Sequence, residues 1–262
     1  MGWPAVLRFK SLGSGSTGNA TLVEASDLLP TRLLVDCGLG IRQLAQRLAQ
    51  SGLALDDIDA IFITHEHSDH IGCAQTLSQR LRIPVWMSRG THVGSGANDF
   101  GGLLNLARDG KPITIGGLQV TPFSVPHDAR EPLQLSCTDG AVKLGILTDL
   151  GHATAHVMAH LQGCHALLLE SNHDEGLLAQ SAYPDFLKRR VGGLHGHLSN
   201  VVAAGVAREL MHAGLKHIVA GHLSAQNNRP ALVQALMSQT LGCAPVDIVI
   251  AGPVEGTRWL GL

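Results

Sequence analysis

At 262 residues, with 45% hydrophobic and 15% charged side chains, the chain has material for a large apolar core and the composition of a globular domain. No run reaches the roughly 18 apolar residues that a membrane span needs. A net charge of −2 supplies no global basic field, so a nucleic-acid partner would have to be held by local features. Met1-Gly2-Trp3-Pro4 lacks the basic segment and apolar stretch of a secretory leader. Cys37, Cys73, Cys137, Cys164 and Cys243 are dispersed without a C-x-x-C pair, as reduced thiols would be. A cytoplasmic protein that does not enter membranes is expected; the oligomeric state stays open.

In chain order, apolar runs predict strands over Val6–Leu12, Ala20–Glu24 and Leu33–Asp36, then a helix over Gly40–Gln50. A strand over Ile58–Thr64 leads into a helix over Ile71–Leu81, and a strand over Pro84–Met87 follows. Strands over Leu118–Val125, Leu133–Cys137 and Val142–Asp149 precede a helix over Ala153–Gln162 and a strand over Ala166–Glu170. The remainder alternates helices over Pro184–Arg190, Ser199–His212 and Pro230–Leu241 with strands over Ile218–Gly221 and Val246–Ile250. Interleaved strands and helices argue for a layered α/β domain, and the early hairpin-like strands for mixed sheets. No linker, charge block or repeat divides the chain, so one domain over 1–262 is expected.

Histidine is over-used, at 15 residues, and its placement is informative. Four apolar runs end on residues able to bind metal or carry protons: Asp36, His65, Asp149 and His222. In layered α/β sheets ligands collect at strand ends. His65 and His67, two apart beyond a buried strand, project to one side and can share a cation. Asp69 and His70 follow after one spacer. The pattern is H-x-H-x-D-H, not the zincin H-E-x-x-H, because Asp69 stands where that motif has its second histidine. Zinc takes imidazole nitrogen and carboxylate oxygen at about 2.0–2.2 Å.

Thr64-His65-Glu66-His67-Ser68-Asp69-His70 resembles the signature of the metallo-β-lactamase superfamily. The resemblance implies a four-layer αββα sandwich, two mixed sheets flanked by helices, with two divalent cations at one edge. It implies His127 of Val125-Pro126-His127-Asp128 as a further ligand, Asp149 as the carboxylate between the cations, and His222 as the last ligand. One cation would take His65, His67 and His127; the other would take Asp69, His70 and His222. Asp36 and Glu66 would support the ligand loop from behind. Leu12-Gly13-Ser14-Gly15-Ser16-Thr17-Gly18-Asn19-Ala20, Glu170-Ser171-Asn172-His173-Asp174, Tyr183-Pro184, Gly196-His197-Leu198-Ser199-Asn200 and Asn227-Asn228-Arg229-Pro230 resemble the YycJ/WalJ-like branch of that family. That branch implies a nuclease, with 5′→3′ exonuclease action on DNA.

Two divalent cations, less two aspartates and a shared hydroxide, leave about one positive charge, which suits a phosphodiester. Zinc is the expected metal, with manganese as the other candidate. Asp69 and His197 are the expected catalytic residues, with His197 protonating the leaving oxygen; His195 is the alternative acid. Ser14, Ser16, Asn19, His173, Ser199, Asn200 and Arg229 are candidate substrate contacts. Ser199 and Asn200 read equally as helix caps, and Gly13–Gly18 as a plain turn lacking the G-K-[ST] of a phosphate loop. Lys188-Arg189-Arg190 could grip a nucleic-acid backbone or form a solvated helix end. His152, His156 and His160 share one helical face. With aromatics at 3%, no continuous base-stacking platform is expected. A small-molecule ester, cyclic phosphodiester, thioester or lactam hydrolase remains open, as does a non-catalytic metal-binding module. A tRNA 3′-processing enzyme fits less well, because His127 and Asp149 lie too close in sequence for its long arm.

Overall fold

The computed structural model describes residues 6–26 and 29–262; the opening residues read above for a leader lie outside them. In the first sheet β1 (Val6–Gly13), β2 (Ala20–Ser26) and β3 (Pro30–Val35) form an antiparallel meander. Parallel to β3 run β4 (Ala60–Phe62), β5 (Val85–Met87) and β6 (Leu104–Leu106), while β14 (Leu260–Gly261) pairs with the outer side of β1. The second sheet starts with antiparallel β7 (Ile113–Ile115), β8 (Leu118–Ser124), β9 (Leu133–Thr138) and β10 (Lys143–Leu147). It continues parallel through β11 (Ala166–Glu170), β12 (His217–Gly221) and β13 (Ile248–Ile250). These are the two mixed sheets of an αββα sandwich.

Period-two alternation decides which side chain enters which layer. Leu33, Val35 and Phe62 point between the sheets and meet Leu133, Leu135, Ile146, Leu168 and Val219. The intervening residues face outward to helices: Leu34 and Ile61 pack with Leu44, Leu48 and Leu77. Those helices are α1 (Ile41–Ala49) and α3 (Ala74–Leu81). On the far side, Leu167, Leu169, Ile218 and Ala220 pack with Val157, Leu161, Ala203, Val206, Val233 and Met237. Those come from α5 (Ala155–Leu161), α8 (Asn200–Glu209) and α9 (Pro230–Leu241). Both faces of the central strands are thus buried, which explains their nearly unbroken apolar runs. Each fully buried large side chain contributes about 1.5–3 kcal/mol.

The parallel relation of β3 to β4, and of β8, β10, β11 and β12 to one another, brings their C-terminal ends to one edge. That edge collects the chemistry.

The expected helix over Ile71–Leu81 is broken. A short α2 (Ser68–Ile71) precedes Gly72, which has φ 27 and ψ −107, and α3 starts afterwards. The break follows from how the loop is tied down. Asn19 N donates to Asp69 O at 2.8 Å, Cys37 N to His70 O at 2.7 Å, and Cys73 N to Cys37 O at 3.0 Å. A side chain on Gly72 would run into the Cys37 carbonyl, and one on Gly38 into the Asp69 carbonyl. The strand expected over Val246–Ile250 shortens to β13, preceded by a 3-10 turn over Pro245–Asp247.

Candidate metal centre

Seven donors expected from sequence meet at this edge. His65, His67, Asp69 and His70 follow β4; His127, Asp149 and His222 follow β8, β10 and β12. His65, His67 and His127 offer ligand atoms within 4.8 Å of one another, as do Asp69, His70 and His222, and His65, His70 and Asp149. His65 Nε2 faces His67 Nδ1 at 3.0 Å, and His70 Nε2 lies 2.7 Å from Asp149 Oδ2. Asp69 Oδ2 stands 3.6 Å from Nε2 of both His70 and His222. Two ligands at zinc distances with tetrahedral angles stand about 3.3 Å apart, so this spacing suits shared cations.

In four of the five imidazoles the inward nitrogen is defined by a bond on the other side of the ring. Asp36 Oδ2 holds His70 Nδ1 at 2.8 Å. Thr64 Oγ1 donates to Asp36 and accepts from His65 Nδ1 at 3.0 Å. The Gly196 carbonyl accepts from His127 Nδ1 at 3.1 Å. Glu170 Oε1 accepts from His222 Nδ1 at 2.9 Å. The outer bond fixes the tautomer and leaves Nε2 bare toward the centre. His127 Nε2 and His222 Nε2 are buried there with no hydrogen-bond partner. Buried polar atoms are seldom left so; two on one centre fit cations.

Backbone strain accompanies the geometry. Asp36, Asp149 and His222 have φ of 64, 54 and 53, a left-handed conformation rarely taken by side chains larger than glycine. Each lies within two residues of a strand end, so the turn that ends the strand aims the donor back over the sheet edge. Such conformations persist when the surroundings over-determine them.

The centre's field is negative. Burial works against a charged His70, yet Asp149 and Asp36 raise it to about 10. His222 is likewise raised well above the usual imidazole value, against its burial, by Asp149. Burial, and then the neighbouring His70, hold His65 well below it. Asp149, though buried, is kept well below the carboxylate range by His222 and His70.

His197 joins this cluster. Its Nδ1 lies 2.8 Å from Glu170 Oε1 and 3.1 Å from Asp149 Oδ1. Burial opposes its charge, but the Glu170 carboxylate carries it to about 9. His197 lines a recess of ≈ 220 Å³ together with Ser16, Asp69, Asp149, Tyr183, Arg190 and Asn227. His195 is exposed and does not line that recess.

Several candidate substrate contacts take other positions. Ser14 is buried and accepts from His222 N at 2.8 Å, so it anchors the backbone of His222. Asn19 Nδ2 lies 3.0 Å from His70 Nε2, and its Oδ1 accepts from Gly15 N, bracing the ligand loop. Asn200 is buried in paired amide bonds with Asn228. Ser199 caps α8 by accepting from Val202 N and also donates to Glu175. His173 and Ser199 line a second recess of ≈ 390 Å³ that also touches His197. Arg229 Nη1 donates to the carbonyls of Gln226 and Asn228 in its own loop, outside both recesses. Ser16 alone of the glycine-rich loop lines the first recess. Glu66 Oε1 accepts from Arg130 N at 2.8 Å, clamping the loop after His127 onto the ligand loop. Of the three spaced histidines, His152 contacts Leu194 O, His156 pairs with Asp109 at 2.9 Å, and His160 stacks on Phe123. His156 and His160, with Asp109, also offer ligand atoms within 4.8 Å of one another.

Glu170 was missed as a site residue. It is fully buried, and while Oε1 serves His197 and His222, Oε2 accepts from Leu150 N at 3.1 Å and Leu198 N at 3.0 Å. Its signal was the one used for the ligands: an apolar run, Leu167-Leu168-Leu169, ending in a donor. Asn172, whose amide donates to His222 O at 2.9 Å, was also missed.

A family model described as a beta-lactamase superfamily domain matches residues 31–222. The chain is 34% identical over 243 residues to the exodeoxyribonuclease YycJ of Bacillus anthracis, covering 90% of this chain and 89% of that protein. It is 30% identical over 255 residues to the exodeoxyribonuclease WalJ of Streptococcus pneumoniae, covering 95% and 94%. The crystal structure of the metallo-β-lactamase fold protein YhfI from Bacillus subtilis superposes with a TM-score of 0.74 at 17% identity, over 98% of this chain and all of that one. The strand-end centre, the two seven-stranded sheets and these relatives agree: the chain belongs to the beta-lactamase superfamily, with the metallo-β-lactamase fold, in the group that contains YycJ and WalJ.

Proposed function

We propose that this protein is a dinuclear metal-dependent phosphodiesterase that removes nucleotides from nucleic-acid ends, acting on DNA in preference to RNA and in the 5′→3′ direction. The observation that carries the reading is the convergence of seven donors from four strand ends around Asp149, with two buried imidazole nitrogens left unpartnered. Relatives named exodeoxyribonuclease, matched over nine-tenths of the chain, support DNA as the polymer. His65, His67 and His127 would hold one cation and Asp69, His70 and His222 the other, with Asp149 within reach of both. Five imidazoles favour zinc over manganese. When bound, the paired cations supply Lewis acidity and an ionised water near neutral pH.

The remaining chemistry belongs to side chains. Asp69 and Asp149 fix the centre over which the phosphodiester lies. Glu170 grips His197 by Nδ1, and the imidazole lines the recess. With its pKa raised to about 9, His197 carries a proton at neutral pH and gives it to the departing oxygen. The chain works as one domain over 1–262, and a cytoplasmic setting keeps its five thiols reduced.

The test is a panel of end-labelled single- and double-stranded DNA and RNA, incubated with metal-loaded protein. Metal-dependent release of mononucleotides from DNA, abolished in Asp69→Ala, is expected. Cleavage of bis-p-nitrophenyl phosphate with every nucleic acid left intact would replace the nuclease by a small-molecule esterase.

A further inference from the structure

The crossover between the two sheets meets the helix that follows Asp149. It runs from β6, at the edge of the first sheet, to β7, at the edge of the second, and it carries Asp109. The helix is α5, where His156 and His160 stand one turn apart on the face turned toward Asp109. Asp109, His156 and His160 offer ligand atoms within 4.8 Å of one another, and none of them belongs to the groups around Asp149. These side chains are held from behind. Gly110 N donates to Pro122 O at 2.8 Å and Asp109 Oδ1 accepts from Ser124 N at 2.8 Å, so the end of β8 fixes the carboxylate. His160 lies flat on the buried Phe123 ring, with 5.0 Å between centroids and 12° between planes. An ion pair accounts for only part of the cluster. His156 Nε2 meets Asp109 Oδ1 at 2.9 Å, whereas the His160 ring makes no hydrogen bond among the described residues and stands edge-on to His156 at 4.7 Å.

Two imidazoles and a carboxylate are the donors of a divalent transition ion, zinc above all, whereas magnesium and calcium ask for oxygen alone. Two ligands of one tetrahedral zinc stand about 3.3 Å apart. The 2.9 Å pair has only to open by a few tenths of an ångström, which the exposed His156 and Asp109 side chains allow. We propose that Asp109, His156 and His160 form a further cation site, separate from the centre at Asp149, that takes zinc with water completing the shell. An ion bound there ties the sheet-to-sheet crossover and the end of β8 to α5. β8 leads into His127, and α5 follows Asp149. The ion therefore braces the two segments that carry these donors without touching either of them. The site does not depend on which ester the centre cleaves.

The experiment is a calorimetric titration of zinc into metal-loaded protein, with magnesium present in excess. Wild type takes up one equivalent more than His156→Ala. Asp109→Asn, whose side-chain oxygen still accepts from Ser124 N, and His160→Ala weaken that equivalent by at least the roughly 10-fold that loss of a mere supporting contact costs. Excess zinc raises the melting temperature of wild type further than that of His156→Ala, since an ion bound only by the folded chain stabilises it. Hydrolysis of bis-p-nitrophenyl phosphate is the same in wild type and His156→Ala. Equal zinc uptake by wild type and His156→Ala, with matching far-UV spectra, overturns the site, whether the ion is missing from both or held by other histidines in both. Displacement of the extra zinc by magnesium overturns it as well. The readout is a difference between two proteins, so a centre that proves inactive or takes a single ion sinks the dinuclear reading and leaves this site standing.

Discussion

Glu170 accepts a hydrogen bond from Nδ1 of His222 at 2.9 Å, and the same carboxylate oxygen accepts from His197 Nδ1 at 2.8 Å. One buried side chain therefore orients two imidazoles, to which the proposed function gives different tasks: His222 at a cation and His197 at the departing oxygen. Burial disfavours its charge, yet His197 keeps it ionised, with a pKa down to about 2.

Glu170→Gln cannot satisfy this arrangement. If the amide oxygen stays toward the imidazoles, its NH₂ faces the N–H groups of Leu150 and Leu198. If it flips, the NH₂ faces both Nδ1 atoms, and His222 must carry its proton on Nε2, against the cation. Loss of supports of this kind costs about 10–100-fold in metal affinity or activity. Metal titration and kcat/KM are expected to fall together by that factor; wild-type values for both would show that Glu170 is only a packing residue.

The Asp36–His70 pair supports a parallel prediction. Asn tolerates the left-handed backbone at position 36 and can still accept from Thr64 N, as Asp36 Oδ1 does at 2.9 Å. Its NH₂ would then face His70 Nδ1 and drive the proton to Nε2. Asp36→Asn is expected to keep a far-UV spectrum like wild type and to bind cations about 10–100-fold more weakly. Retained affinity measured by competition with a chelating dye would contradict the assigned tautomer.

Gly38 tests the loop itself. A methyl group there collides with the Asp69 carbonyl, a backbone atom that cannot swing aside. Gly38→Ala should shift the ligand loop and lower both metal content and melting temperature, an effect of about 1–3 kcal/mol typical of overpacking. Gly52→Ala, with open space around it but φ 72, should leave metal content unchanged.

Burial pushes the Cys137 thiol up to about 12 and the Cys164 thiol up to about 11, from 9.0. A thiol with a raised folded-state pKa gives stability that is complete below the unfolded value and lost as pH rises through the folded one. Stability should therefore fall between roughly pH 9 and pH 12, and Cys137→Ala with Cys164→Ala should flatten that limb in urea melts. At pH 8, native labelling should spare both and reach the exposed Cys243. Fast modification of Cys137 in native protein would contradict the burial.

The sandwich and its edge were legible because buried strands write unbroken apolar runs, and a donor directly after such a run lands at the edge where ligands collect. That logic placed Asp36, His65, Asp149 and His222. It could not separate a ligand from the support behind it, since Glu170 carries the same signature. Ser14 and Asn19, expected at substrate, face His222 and His70 instead, and only the folded turn reveals that direction. The short β6, β7 and β14 were missed because pairing at sheet edges, not composition, makes them strands. A helix α4 (Arg89–Gly94) with two glycines and β-branched Thr91 and Val93 has poor propensity. It forms because Ser88 caps Thr91 N and Glu131 accepts from Gly90 N.

Anomalous diffraction from crystals of metal-loaded protein addresses the central claim most directly. The account predicts two peaks about 3.5–4 Å apart, flanking Asp149, one against His65, His67 and His127 and the other against Asp69, His70 and His222. No peak at Asp149, or peaks only at surface histidines such as His156, would contradict it.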